Sequence, residues 1–274
     1  MKISLKQILA VGALAVASTS AFADTALPET GNGELVLYVL DTTQNTVYAR
    51  GLGVNMDNII TTQQITSNGH TVAAQPITGF DLGTIGPDAN MNAFLGTIAP
   101  SDNVEWAVLG GAYTGITNTL GAMRFATTTT ADLSAGTTLS NSNLKGSFVN
   151  INGVQTTLNG FIGTGVADDM ASTQPNGIYG QTGAGYPTAP AWFGGGLTNA
   201  ITGLGTTANF YLLATGGGST GAKAVAYSMY SLTLGTDGTL TMNAPMSTTP
   251  IPAAFWLLGS GLAGLVGIGR RKQV

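Results

Sequence analysis

The chain has 274 residues, a formal net charge of −4, 8% charged residues against 43% hydrophobic ones, and 40 glycines. It has no cysteine, which excludes a disulfide framework, thiolate metal sites and a cysteine nucleophile. Residues 24–249 hold all 13 acidic residues but only four basic ones (Arg50, Arg124, Lys145 and Lys223), a net −9. Direct nucleic-acid binding, which rests on lysine and arginine neutralising phosphates, is therefore not expected.

The first element is a leader. Lys2 and Lys6 make a positive start, residues 8–17 are an apolar core, and Ala21-Phe22-Ala23 is an A-x-A cleavage site ahead of Asp24. This is the layout of a secretory signal peptide over residues 1–23, too short to span a bilayer and stay. Residues 24–249 then form the exported part. Low charge with abundant Gly, Thr, Asn and Ala fits β-structure with many turns better than disorder. The expected fold is mainly β: an antiparallel β-sandwich with one short helix.

Residues 35–40 (LVLYVL) are a continuous apolar run of strand length and read as a strand buried on both faces. Residues 46–50 can pair back onto it as a hairpin. Residues 106–109 and 123–127 are further strands. Between them, Asp88-x-Asn90-x-Asn92 imitates the opening of a calcium loop. The sixth position is Ala93 where glycine is needed, and the twelfth is Ala99 where glutamate is needed, so an EF-hand is rejected. A looser calcium site drawing on Asp81, Asp88 or Asp102 is the alternative to ordinary Asx turns, which are favoured. His70 reads as a loop residue. No metal site is expected.

Over residues 140–158, Leu144, Phe148, Ile151, Val154 and Leu158 step by four, three, three and four, the spacing of one helical face. Asn141 or Ser142 is the expected cap. Asp168-Asp169 are neighbours that would point to opposite faces of a strand, so they do not make an acid/base pair. Residues 163–207 are rich in glycine, proline and threonine, and read as a decorated loop or a boundary between two β-rich halves. Within them Tyr179, Tyr186, Trp192 and Phe193 either stack on sugar rings or a partner, with Trp192 and Phe193 as the contacts, or fold back over the sheet edge; folding back is favoured.

Strand character restarts at residues 210–215 and 224–230. Between these lies Gly217-Gly218-Ser219-Thr220-Gly221, which matches the G-x-S-x-G nucleophile elbow. That elbow needs a helix after it and a histidine later in the chain, and the sole histidine, His70, lies upstream. A hairpin turn is the expected reading. None of the glycine clusters completes a phosphate-cradling motif, so no cofactor is expected and the chain reads as a non-enzyme. The last hairpin is residues 231–242 (SLTLGTDGTLTM). Placing its apolar residues on one face requires Leu234 opposite Leu240 and Leu232 opposite Met242. The loop is then Thr236-Asp237-Gly238, with Gly238 left-handed in a G1 bulge.

The tail is the second membrane-directed element. Residues 251–269 carry no charge, and 19 residues of helix rise about 28 Å, close to a hydrocarbon core of about 30 Å. Arg270, Arg271 and Lys272 follow and place that end on the cytoplasmic side. Gly259, Ala263 and Gly267 leave one helix face nearly bare, suited to close helix packing in lipid. Pro250-Ile251-Pro252-Ala253-Ala254, the apolar run and the basic cluster together resemble a PEP-CTERM sorting signal, nearest the VPLPA type, with Ile251 where the eponymous motif has glutamate. The resemblance covers residues 250–274. It implies a Gram-negative envelope protein that is cut near the proline motif by an exosortase-type membrane protease. It also implies a place at the cell surface or in the matrix, with a structural or adhesive role in biofilm or exopolysaccharide association. A carbohydrate- or calcium-dependent binding module is the alternative, and an unrecognised hydrolase a weaker third.

Overall fold

The structure, a computed structural model, describes residues 32–68, 75–77, 79–113, 119–137, 139–145, 177–181 and 201–243. They belong to one compact unit that runs to Asn243. The 244–274 unit lies outside the described residues, as do the leader and the predicted 251–269 helix. Among the described residues no helix is long and apolar enough to cross a membrane.

The fold is mainly β and almost wholly antiparallel. Its strands are β1 (Glu34–Asp41), β2 (Thr46–Asn55), β3 (Gln75–Pro76), β4 (Thr84–Ile85), β5 (Val104–Tyr113), β6 (Met123–Thr129), β7 (Ile178–Gln181), β8 (Ile201–Thr202), β9 (Thr207–Ala214), β10 (Val225–Leu234) and β11 (Leu240–Asn243). All belong to a single sheet ordered β4-β11-β10-β9-β6-β5-β1-β2-β7, with β3 running parallel beside β10 and β8 pairing with β5. The expected two-sheet sandwich therefore does not form. Each long strand has a neighbour on both sides, β1 between β2 and β5 and β9 between β6 and β10, so no break separates two layers.

The sheet curls instead. The larger apolar cluster gathers Leu35, Leu37 and Val39 of β1 with Leu232, Leu234, Leu240 and Met242 from the far end of the strand order. Three helices cover this face: α1 (Met56–Ile59), α2 (Thr62–Asn68) and α3 (Ala89–Leu95). They contribute Met56, Ile59, Ile65, Met91 and Phe94, all buried. The alternate residues of the strands, Val36 and Tyr38 of β1 among them, face a second cluster with Leu133, Leu139 and Leu144. Burial on both faces is what makes the 35–40 run apolar without alternation.

Three of these helices depart from the expectation of one. Their starts are local side-chain devices. Thr61 and Gln64 form a capping box ahead of α2: Gln64 N–H donates to Thr61 Oγ1 (3.2 Å), and Thr61 N–H to Gln64 Oε1 (2.7 Å). Asn55 N–H likewise donates to Asn58 Oδ1 (3.1 Å) at α1. Arg124 reaches from β6 to both ends of α1, to Asp57 in its first turn and to the carbonyl of Ile60 at its C-cap. In the fourth helical stretch, 141–145, the cap is Ser140, whose Oγ accepts from Asn143 N–H (3.2 Å), and not Asn141 or Ser142. Leu144, the first residue of the predicted apolar stripe, is fully buried; the rest of that stripe lies outside the described residues.

The predicted hairpins form. β1 and β2 pair with Asp41 opposite Thr46, and β10 and β11 pair with Leu234 opposite Leu240 and Leu232 opposite Met242. Gly235 N–H donates to Thr239 O (2.8 Å), which leaves the loop Thr236-Asp237-Gly238, and Gly238 has φ +81°.

Candidate functional site

The two ends of the strand order meet at residues 86–95. Near one end, the β10–β11 turn rests on α3: a Cβ on Gly238 would lie 2.6 Å from Met91 Cγ and 3.0 Å from Leu95 Cδ1. From the other end, α3 contacts β2 and β7. No strand pairing closes this seam among the described residues. A polar cluster centred on Asp88 joins it instead.

Asp88 is the N-cap of α3, an extended residue whose Oδ1 accepts from Met91 N–H (2.7 Å). Its Oδ2 accepts from the Tyr48 hydroxyl (2.7 Å) and from Gly177 N–H (2.7 Å). Arg50 Nε stands 3.6 Å from the same oxygen, while Arg50 Nη1 donates to Gly86 O (3.0 Å). Asn90, the second residue of α3, donates its side-chain amide to Gly177 O (2.7 Å). Asp88 and Asn90 therefore take both backbone polar groups of Gly177, the residue that leads into β7. A Cβ at that position would fall 2.5 Å from Ala49 O and 2.5 Å from Tyr48 Cζ, so only glycine fits without a shift.

The Asp88 side chain is 5% exposed and that of Arg50 is 19% exposed, so the pair is largely withdrawn from water. Burial pushes the Tyr48 phenol well up, the Asp88 charge and hydrogen bond push it further, and Arg50 opposes them. Tyr48 is thus a neutral donor to a carboxylate whose oxygens are already engaged. That chemistry grips backbone: Oδ1 caps α3 and Oδ2 holds Gly177 and Tyr48.

The other sequence-level candidates fall into place around this cluster. The 88–92 run that imitated a calcium loop is the cap and first turn of α3. Asp81 accepts from Gly83 N–H (2.7 Å), and Asp102 from Ala99 N–H (2.8 Å) and Gln44 Nε2 (3.3 Å). Among the described residues, no three His, Cys, Asp or Glu side chains come together as a metal site. Ser219 lies in the β9–β10 connection, as the hairpin reading expects, and Asn141 ties that loop down through Gly216 and the Ser219 carbonyl. Tyr179 sits on edge strand β7, opposite Tyr48, packed against the larger cluster. It therefore covers the sheet edge.

His70, Asp168, Asp169, Tyr186, Trp192 and Phe193 lie outside the described residues. So do the leader residues Ala21, Ala23 and Asp24, the motif Pro250, Ile251, Pro252, Ala253 and Ala254, and the basic cluster Arg270, Arg271 and Lys272. The Asp88 cluster was not found from sequence. Tyr48, Arg50 and Gly177 stand 40, 38 and 89 residues from Asp88 along the chain, and the one local signal was an aspartate just before a short apolar stretch. Comparison with protein-family models, with curated proteins and with solved structures gave no match.

Proposed function

We propose that this chain is an exported, non-enzymatic protein of a Gram-negative envelope. A C-terminal helix over residues 251–269 holds it in the membrane until an exosortase-type protease acts near Pro250–Ala254. It then serves at the cell surface or in the matrix, in structural or adhesive association with exopolysaccharide. One observation carries the reading: a start patterned as a signal peptide, a charge-poor β-rich middle and a proline-led apolar tail followed by three cations come one after another in that order. The way the described polar groups are used is consistent with it, since the most buried carboxylate–arginine cluster is committed to holding the fold together.

Removing residues 250–274 tests the reading in cells. The truncated chain should leave the membrane fraction and appear in the periplasm or medium, while the full chain stays with the envelope. Equal membrane retention of both chains would contradict it. Retention on an exopolysaccharide column that falls when Trp192 and Phe193 become alanine would favour the binding-module alternative.

A further inference from the structure

Strand β4 ends the sheet with only two paired residues, Thr84 opposite Thr241 and Ile85 opposite Leu240. The grip on the chain just before it comes from one residue of β11. Met242 N–H donates to Gly83 O (3.0 Å), and Met242 Sδ accepts from Leu82 N–H (3.3 Å). This stretch covers the core: Ile77 and Phe80 are buried in the larger cluster, and Leu82 and Ile85 pack against it. Part of the hold on the edge is therefore a thioether, a weak acceptor.

The same sulfur is the accessible one. Met242 is 9% exposed, while Met56, Met91, Met123 and Met229 are each at most 1% exposed. With no cysteine in the chain, methionine supplies its only oxidisable sulfur, and oxidation follows exposure. The sulfoxide turns a flexible apolar side chain into a polar, chiral one. An oxygen on the lone pair facing Leu82 N–H has no room, because 3.3 Å is already a contact distance, so residues 82–83 must move away from β11. An oxygen on the other lone pair sets a polar atom against the cluster to which Leu232, directly opposite, belongs. Both outcomes weaken the same edge.

We propose that Met242 is an oxidation site that works as a latch: a hydroperoxide oxidises Sδ to the sulfoxide and thereby releases residues 80–85 from β11. In that step the S–O bond forms as the O–O bond breaks. Sulfur is oxidised, the peroxide is reduced, and the remaining oxygen leaves as the alcohol, or as water from hydrogen peroxide. The proposal goes beyond the envelope assignment and does not rest on it.

The full chain, purified in detergent, is treated with limiting hydrogen peroxide and followed by peptide mass mapping, hydrogen exchange and thermal unfolding. One added oxygen should appear on Met242 before Met56, Met91, Met123 or Met229. The amides of Leu82 and Met242 should then exchange faster, and Tm should fall by about 4–8 °C. Met242→Leu keeps the side-chain volume and has no atom to oxidise. Peroxide should leave the exchange and Tm of that variant as they were. Met1, Met170 and Met246, which lie outside the described residues, remain in both chains, so any effect of theirs shows in the leucine variant too. Oxidation of Met242 no sooner than the four buried methionines would overturn the proposal. So would a Met242 sulfoxide that leaves exchange at Leu82 and Met242 unchanged, or an equal loss in the leucine variant.

Discussion

Asp88→Ala is the perturbation that tests the seam. It removes the α3 N-cap acceptor, a loss of about 1 kcal/mol. It also leaves the Gly177 N–H and the Tyr48 hydroxyl without their acceptor, about 1–3 kcal/mol for each buried donor. Arg50 loses its partner, but at 19% exposure water screens part of that cost. The sum is about 4 kcal/mol, within the roughly 3–5 kcal/mol seen when one partner of a buried pair is removed. Against a total stability of about 5–15 kcal/mol that is a large share. It corresponds to a fall in Tm of roughly 8–16 °C for a domain of this size. Urea unfolding followed by tryptophan fluorescence, with Trp106 fully buried as the reporter, measures it. Asp88→Asn keeps a capping oxygen and should cost less than half as much. Tyr48→Phe should cost about 1 kcal/mol in the native background and close to nothing beside Asp88→Ala, because the donor would already lack its acceptor. A loss below about 1 kcal/mol for Asp88→Ala, or full additivity with Tyr48→Phe, would refute the reasoning.

Gly238→Ala places a methyl 2.6 Å from Met91 Cγ at φ +81°, and should cost about 1–3 kcal/mol by urea unfolding while Thr236→Ala costs almost nothing. Asn141→Leu removes the bonds to Gly216 N and O and to Ser219 O from a fully buried side chain, and should lower stability by about 2–4 kcal/mol, whereas Ser219→Ala leaves it unchanged. Alkaline pH should unfold the protein early. Burial raises the Tyr38 and Tyr48 phenols above their ordinary value of 10.0, with the Glu34 and Asp88 charges adding to the respective shifts. The folded state therefore keeps protons that the unfolded state gives up. Stability is full below about pH 10 and falls above it by about 1.4 kcal/mol per pH unit for each such phenol. Tyr38→Phe should flatten that fall in a pH series of urea midpoints, and an unchanged slope would count against the burial.

Local patterns were legible because their causes are local. The 35–40 run announced a strand covered on both faces, and alternation at Leu232, Leu234, Leu240 and Met242 fixed the last hairpin to the residue, since a one-step slip would expose all four. The capping box at Thr61 and Gln64 is just as local, yet it was not read from the sequence, and the helix it starts was not expected. What the residues did not show is global. Whether strands divide into two sheets or curl as one depends on which strands pair across long separations, such as Thr127 with Tyr211. The seam has the same origin, since Tyr48, Asp88 and Gly177 meet only after the curl brings them together. Glycine at 177 is informative once Tyr48 is known to stand behind it.

The intact mass of the protein taken from its own cells tests the central claim, that two terminal segments are addresses removed or used at the envelope. The account predicts a chain that begins at Asp24 and ends close to Pro250–Ala254, with any attached glycan as added mass. A 27.7 kDa species carrying both Met1 and Val274, recovered free in the cytosol, would contradict it.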